Sequence, residues 1–199
     1  MKNLLFLAIC IVLFSCKGNG QPTDPAPKND DPSPEALVPN PKTDFVFSGD
    51  YEDLLTLELA SRITGFEPSK ANKMNPLKGM TGEILRYYWE NGREREKEST
   101  TPNRKNTKIG CMDLVQIKWV DGEADMDSFL DFIDLEKYPD LTKVENVGES
   151  AYWNPNKNHL EVYYNGVSFT LQVDISNNDI LDKEKTIALA KLIIEERIK

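Results

Sequence analysis

From about residue 44 onward the apolar positions recur with two spacings, and the spacing changes along the chain. In SGDYEDLLTLELASRITG (48–65), Leu54, Leu55, Leu59 and Ile63 fall near one helical face. Ser48 or Asp50 can cap the start of that helix, and Gly65 stands where a left-handed residue would end it. The run from Glu83 to Trp89 is rich in strand formers and closes at Asn91-Gly92. Polar sequence from Arg93 to Lys108 reads as a long loop or a frayed hairpin extension. Asp113 to Val120 then alternates, with Val115, Ile117 and Trp119 against Leu114, Gln116 and Lys118, which predicts a strand with one mostly polar face. Met126, Phe129, Leu130 and Ile133 return to helical spacing, with Pro139 as the stop.

The last third predicts a meander: ESAYW, HLEVYY and VSFTLQVDI, with turns at NPNKN and Asn165-Gly166. Asn-Gly between alternating runs favours a type I′ turn, because both residues tolerate positive φ. Leu160, Val162 and Tyr164 then share a face with Val167, Phe169, Leu171 and Val173. A closing helix carries Ile187, Ala190, Ile194 and Ile198, with Leu189 and Ile193 beside them. The expected class is α+β: an antiparallel sheet of about five or six strands, covered by about three helices, in one domain over residues 44–199.

The N-terminal stretch follows a different logic. Lys2 precedes an eleven-residue apolar run, Leu4 to Phe14. A membrane-spanning helix needs about 20 residues, so this run fits a cleaved secretory leader over residues 1–15. It ends Leu13-Phe14-Ser15-Cys16, which resembles the bacterial lipobox, Leu-x-(small)-Cys. The resemblance implies that Cys16 becomes the first mature residue, acylated on its thiol and its amine, and so anchors the chain to a membrane. Lys17 in the next position, by analogy with lipoprotein sorting in Gram-negative bacteria, favours the outer membrane. Residues 16–43 contain seven prolines and few large apolar side chains, which suits a semi-extended tether rather than a core.

Composition narrows the function more than it names it. The formal net charge is −9. Nucleic acid is therefore a poor partner, since its binding rests on Lys and Arg at phosphates. Of three cysteines, Cys10 leaves with the leader and Cys16 is lipidated, so Cys111 is left single and no internal disulfide is available. His159 is the sole histidine, which excludes a multi-histidine metal site; it is expected near the surface at a strand start. Cys111 reads as a small buried apolar residue at a strand edge rather than a nucleophile. The domain is thus expected to be non-enzymatic and to need no cofactor, with an envelope protein or a small ligand as partner.

Two acidic runs test the idea of calcium. Asp121, Glu123, Asp125 and Asp127 fall at every second position, as in a D-x-D-x-D loop. Met126 and Phe132 occupy the places where an EF-hand loop needs its glycine and its bidentate glutamate, so helix capping by these carboxylates is the stronger reading. Asp174 to Glu184 fails in the same way. A calcium-dependent module centred on Asp121–Asp127 remains the alternative. Charge is also bipolar: 121–140 carries eight acids and one lysine, whereas 93–108 carries six bases and three acids. Trp89, Trp119, Trp153 and Tyr163 are the aromatic residues proposed for an open ligand or partner surface.

The run from Gly148 to Trp153, the hairpin around Gly166 and the closing helix together resemble small secreted lipoproteins whose domain is similar to the PsbP-like α/β/α sandwich. That resemblance covers about residues 50–199 and implies an accessory or binding role without a catalytic motif.

Overall fold

The computed structural model describes residues 45–97 and 105–198; the expectations for the leader, Cys16 and the tether lie outside these residues. The described chain opens with a 3-10 turn at Tyr51–Asp53 and helix α1 at Leu57–Thr64. A second 3-10 turn, Pro68–Lys70, leads to β1 (Asn72–Met74), β2 (Ile84–Trp89), β3 (Glu94–Lys97), β4 (Thr107–Gly110) and β5 (Asp113–Asp121). Helix α2 (Met126–Ile133) is followed by β6 (Thr142–Lys143) and the meander β7 (Ser150–Asn154), β8 (His159–Tyr164) and β9 (Val167–Asp174). Helix α3 (Asp179–Ile193) closes the chain, widening into a π turn over Ile194–Ile198.

The fold is α+β. Seven strands form one antiparallel sheet in the order β1-β2-β5-β9-β8-β7-β6, and β3 pairs with β4 in a separate ribbon. The register sets the two faces. Leu160 opposes Leu171 and Val162 opposes Phe169, while Leu171 also opposes Ile117 and Ile117 opposes Leu85, so one face is apolar across four strands. Helices α1 and α3 cover that face, and the core includes Leu54, Leu55, Leu59, Leu189 and Ile193. Helix α2 lies on the opposite face, where Phe129 and Ile133 pack with Tyr163 and Tyr152.

The first helix is shorter than its periodicity predicts. Asp50 caps only the 3-10 turn, and Thr56 starts α1 anew by accepting from Leu59 N at 3.2 Å. Gly65 does end α1, at φ +81°. Helix α2 stops at Asp134, left-handed at φ +48°, five residues before Pro139. At the hairpin, Asn165 and Gly166 take φ +51° and +78°, the pair of positive values that a type I′ turn needs.

The polar segment after β2 forms a ribbon, and Arg93 makes most of the contacts at its base. Arg93 Nε donates to Asp113 Oδ1 at 2.5 Å, and Arg93 Nη2 to Asp174 Oδ1 at 2.7 Å. Its Nη1 donates to the Ser176 carbonyl at 2.7 Å. Desolvation works against the charge of Arg93, but the two carboxylates outweigh it and its pKa is raised.

Candidate functional site

The site begins with a break in alternation. Strand β5 keeps its register with β9 as far as Lys118 opposite Thr170 and resumes at Asp121 opposite Ser168. Three steps on β5 match two on β9, so one residue is extra and the ladder bulges. Trp119 absorbs the bulge at φ +51°, a conformation that bulky side chains avoid. The Val120 amide, out of register, donates instead to the Tyr51 hydroxyl at 3.0 Å.

The bulge moves Trp119 off the core face on which its spacing places it. Its indole stands edge-on to Phe132 of α2 at 5.9 Å and to His159 at 6.3 Å, and it remains 42% exposed. A cleft of about 370 Å³ opens beside it, walled by Met80, Trp119, Phe129 and Phe132, with Glu161 and Thr170 among its polar lining. A smaller hollow of about 190 Å³ lies between Trp119, Phe132, Tyr138 and Lys157, and also reaches Glu161. Trp119, Phe132 and Glu161 are therefore common to both hollows.

The polar lining comes from the second face of the sheet. Glu161 and Thr170 are cross-strand neighbours on β8 and β9, and the Thr170 hydroxyl donates to Glu161 Oε2. Both are buried. His159 Nε2 lies 2.8 Å from Glu161 Oε1, yet neither ring nitrogen has a hydrogen-bond partner. The contact is close but lacks hydrogen-bond geometry, so no hydrogen bond is formed. Lys118, in register with Thr170, places its ammonium 4.3 Å from the Trp119 ring centroid. Burial holds the Lys118 pKa below its ordinary value, and attraction to Glu161 offsets part of that shift. Farther along the same face, Gln116 accepts from Arg86 and donates to Gln172 Oε1 at 2.6 Å.

Of the four aromatic residues proposed for an open surface, only Trp119 stands in a cleft. Trp89 is 1% exposed, packs edge-on to Phe66 and donates to the Glu67 carbonyl at 3.0 Å. Trp153 sits on the apolar face among the residues under α3, with Lys183 over its ring at 5.5 Å. Tyr163 is covered by Phe129, 5.7 Å away between ring centroids. The strand pattern orients Trp89 and Trp153 inward, and α2 lands on Tyr163, so none of the three offers open area.

His159 departs from its expected exposure: it begins β8 but is 1% exposed, because Trp119 lies against it. Cys111 is half-buried in the link between β4 and β5 rather than a core residue, and its amide donates to the Arg93 carbonyl at 2.8 Å. The run Asp121–Asp127 is spent on local structure. Asp121 accepts from the Glu123 amide at 2.9 Å, and Asp125 forms a reciprocal capping box with Ser128 at the start of α2. Backbone and hydroxyl donors from Ser128 hold the Asp125 pKa below its usual range. Among the described residues no three Asp, Glu, His or Cys side chains gather as metal ligands. In the second acidic run, Asn178 caps α3 and Asp182 is buried, receiving the Ser176 hydroxyl at 2.9 Å.

Glu161, Thr170, Phe132 and Met80 belong to the cleft without having been singled out by spacing. Trp119 beside Val120, two large apolar neighbours in an alternating strand, is the one local sign of the bulge. No protein-family model, curated protein or solved structure matches the chain.

Proposed function

We propose that this is a lipid-anchored envelope protein whose folded domain binds a small molecule, without transforming it, in the cleft beside Trp119. The observation carrying the binding reading is the backbone of Trp119. A bulky aromatic residue at positive φ is strained, and such strain persists where the surrounding fold imposes it, often at ligand sites. The strain here holds an indole at the wall of a hollow of about 370 Å³. That volume falls within the roughly 300–1,000 Å³ of small-molecule sites, and an apolar wall with a few polar groups is their usual lining. Neither His159 nor Cys111 lines the cleft, which favours binding over nucleophilic chemistry there. The anchoring reading rests on Leu13-Phe14-Ser15-Cys16 and the seven prolines that follow.

Trp119 is the one half-exposed residue among the three tryptophans, so its emission reports on the cleft. Compounds from an envelope extract that raise the melting temperature of the processed protein are expected to shift that emission, and Trp119→Phe is expected to abolish the shift. Stabilising compounds that leave the emission unchanged and bind Trp119→Phe equally well would place the ligand elsewhere and defeat the binding reading. Labelling with palmitate should mark the wild-type chain and not Cys16→Ser; equal labelling of both would defeat the anchor.

A further inference from the structure

We infer that the cleft beside Trp119 takes an organic ammonium with an apolar body, such as an alkylamine, and that the Glu161 carboxylate is its counter-ion. This rests on the binding reading above and gives it a chemical class.

The first ground is the sign of the lining. Asp121 and Glu161 are the charged residues among the described residues that line the larger hollow; no Lys, Arg or His joins them. A carboxylate facing an apolar hollow favours a positive group and disfavours an anion. Glu161 also has capacity left. A carboxylate offers about four acceptor sites; the Thr170 hydroxyl fills one on Oε2, and His159 Nε2 lies 2.8 Å from Oε1 without a formed hydrogen bond.

The second ground is aromatic. Trp119 and Phe132 meet edge to face at 5.9 Å and line both hollows. Ring faces attract cations, Trp most strongly. Met80 and Phe132, 65% and 52% exposed, supply apolar surface for the rest of such a ligand.

The third ground is that the protein already sets an alkylammonium against the Trp119 ring, although Lys118 itself lines neither hollow. The Lys118 side chain rests its ammonium on the Trp119 ring and is attracted by Glu161. A ligand amine would use the same two partners from the open side, so Lys118 is a built-in competitor as well as a precedent.

The test compares hexylammonium, 1-hexanol and hexanoate, which share one alkyl chain and differ in charge, by calorimetry on the full processed protein. Hexylammonium should bind roughly tenfold tighter than hexanol, as expected for a hydrogen bond to a charged group, and hexanoate should bind most weakly. Glu161→Gln should remove the preference for hexylammonium over hexanol. Lys118→Met should tighten hexylammonium several-fold, an effect that general damage to the fold would not produce. If hexanol or hexanoate binds as tightly as hexylammonium and shifts the Trp119 emission, the cleft binds ligands but the ammonium assignment is wrong. If none of the three binds, the assignment is likewise overturned, and unchanged Trp119 emission with extract compounds that still stabilise the protein would mark the cleft reading as having failed too. Retained preference in Glu161→Gln would also overturn it.

Discussion

Replacing Arg93 with Met should be among the most damaging single changes in the domain. The Arg93 side chain is 10% exposed and that of Asp113 is 4% exposed, so their pair at 2.5 Å is largely removed from water. Taking away one partner of a buried pair costs about 3–5 kcal/mol, because the remaining charge is left uncompensated. Asn91 Nδ2 still reaches Asp113 Oδ2 at 2.8 Å, and Arg95 still reaches Asp174 at 3.1 Å, which argues for the low end, about 3 kcal/mol. For a domain of this size that corresponds to a fall in melting temperature of about 6–12 °C. Urea unfolding followed by tryptophan emission measures the free energy. Adding Asp113→Asn to Arg93→Met removes the stranded charge and should recover most of the loss, since replacing both members of a buried pair is often close to neutral. The reasoning is refuted if Arg93→Met costs under about 1 kcal/mol, the range of exposed pairs, or if the second change recovers nothing. Limited proteolysis should also cut faster between residues 93 and 112, because the Arg93 side chain and the Asn177 bond to the Glu94 carbonyl fix the ribbon to the sheet.

Two further changes probe buried positions elsewhere in the domain. Gly148 takes φ +57°, and a Cβ there would stand 2.5 Å from the Tyr163 carbonyl oxygen. Gly148→Ala should therefore cost about 2–4 kcal/mol in the same urea assay, from the left-handed backbone plus overpacking. Asp182 is buried in the first turn of α3, and desolvation raises its pKa above the ordinary aspartate value. For an acid whose folded pKa is raised, the folded form holds its proton more tightly, so stability falls as pH rises from the unfolded value through the folded one. Asp182→Asn keeps an acceptor for the Ser176 hydroxyl and removes the charge; it should be more stable than the wild type at neutral pH, with the difference closing below the ordinary aspartate pKa. Urea curves at both pH values check the sign, and a variant that is less stable at neutral pH would reverse it.

The meander, the closing helix and the α+β class are legible in local sequence pattern. Asn165-Gly166 specifies its turn through local backbone energetics, and the alternation of Leu160 to Val173 specifies a buried face through the two-residue period of a strand. Strands β1 and β6 left little trace because they are short exposed edges: Asn72–Met74 and Thr142–Lys143 bury nothing that a periodic pattern could register. The broken first helix was hidden for another reason, since Leu54 and Leu55 keep helical spacing with Leu59 whether or not Thr56 restarts the helix. The tertiary structure alone decided the cleft. Alternation assigns Trp119 to the core, and only the pairing of β5 with β9 reveals the extra residue that turns it outward. The apolar positions of α2 show that it covers something, but not which face of the sheet. Because it lands on the polar face, it covers Tyr163 with Phe129 and sets Phe132 against Trp119, which walls in Glu161. Local propensity acts through neighbours in sequence, whereas a bulge and a docked helix depend on partners distant along the chain, whose register no single segment encodes.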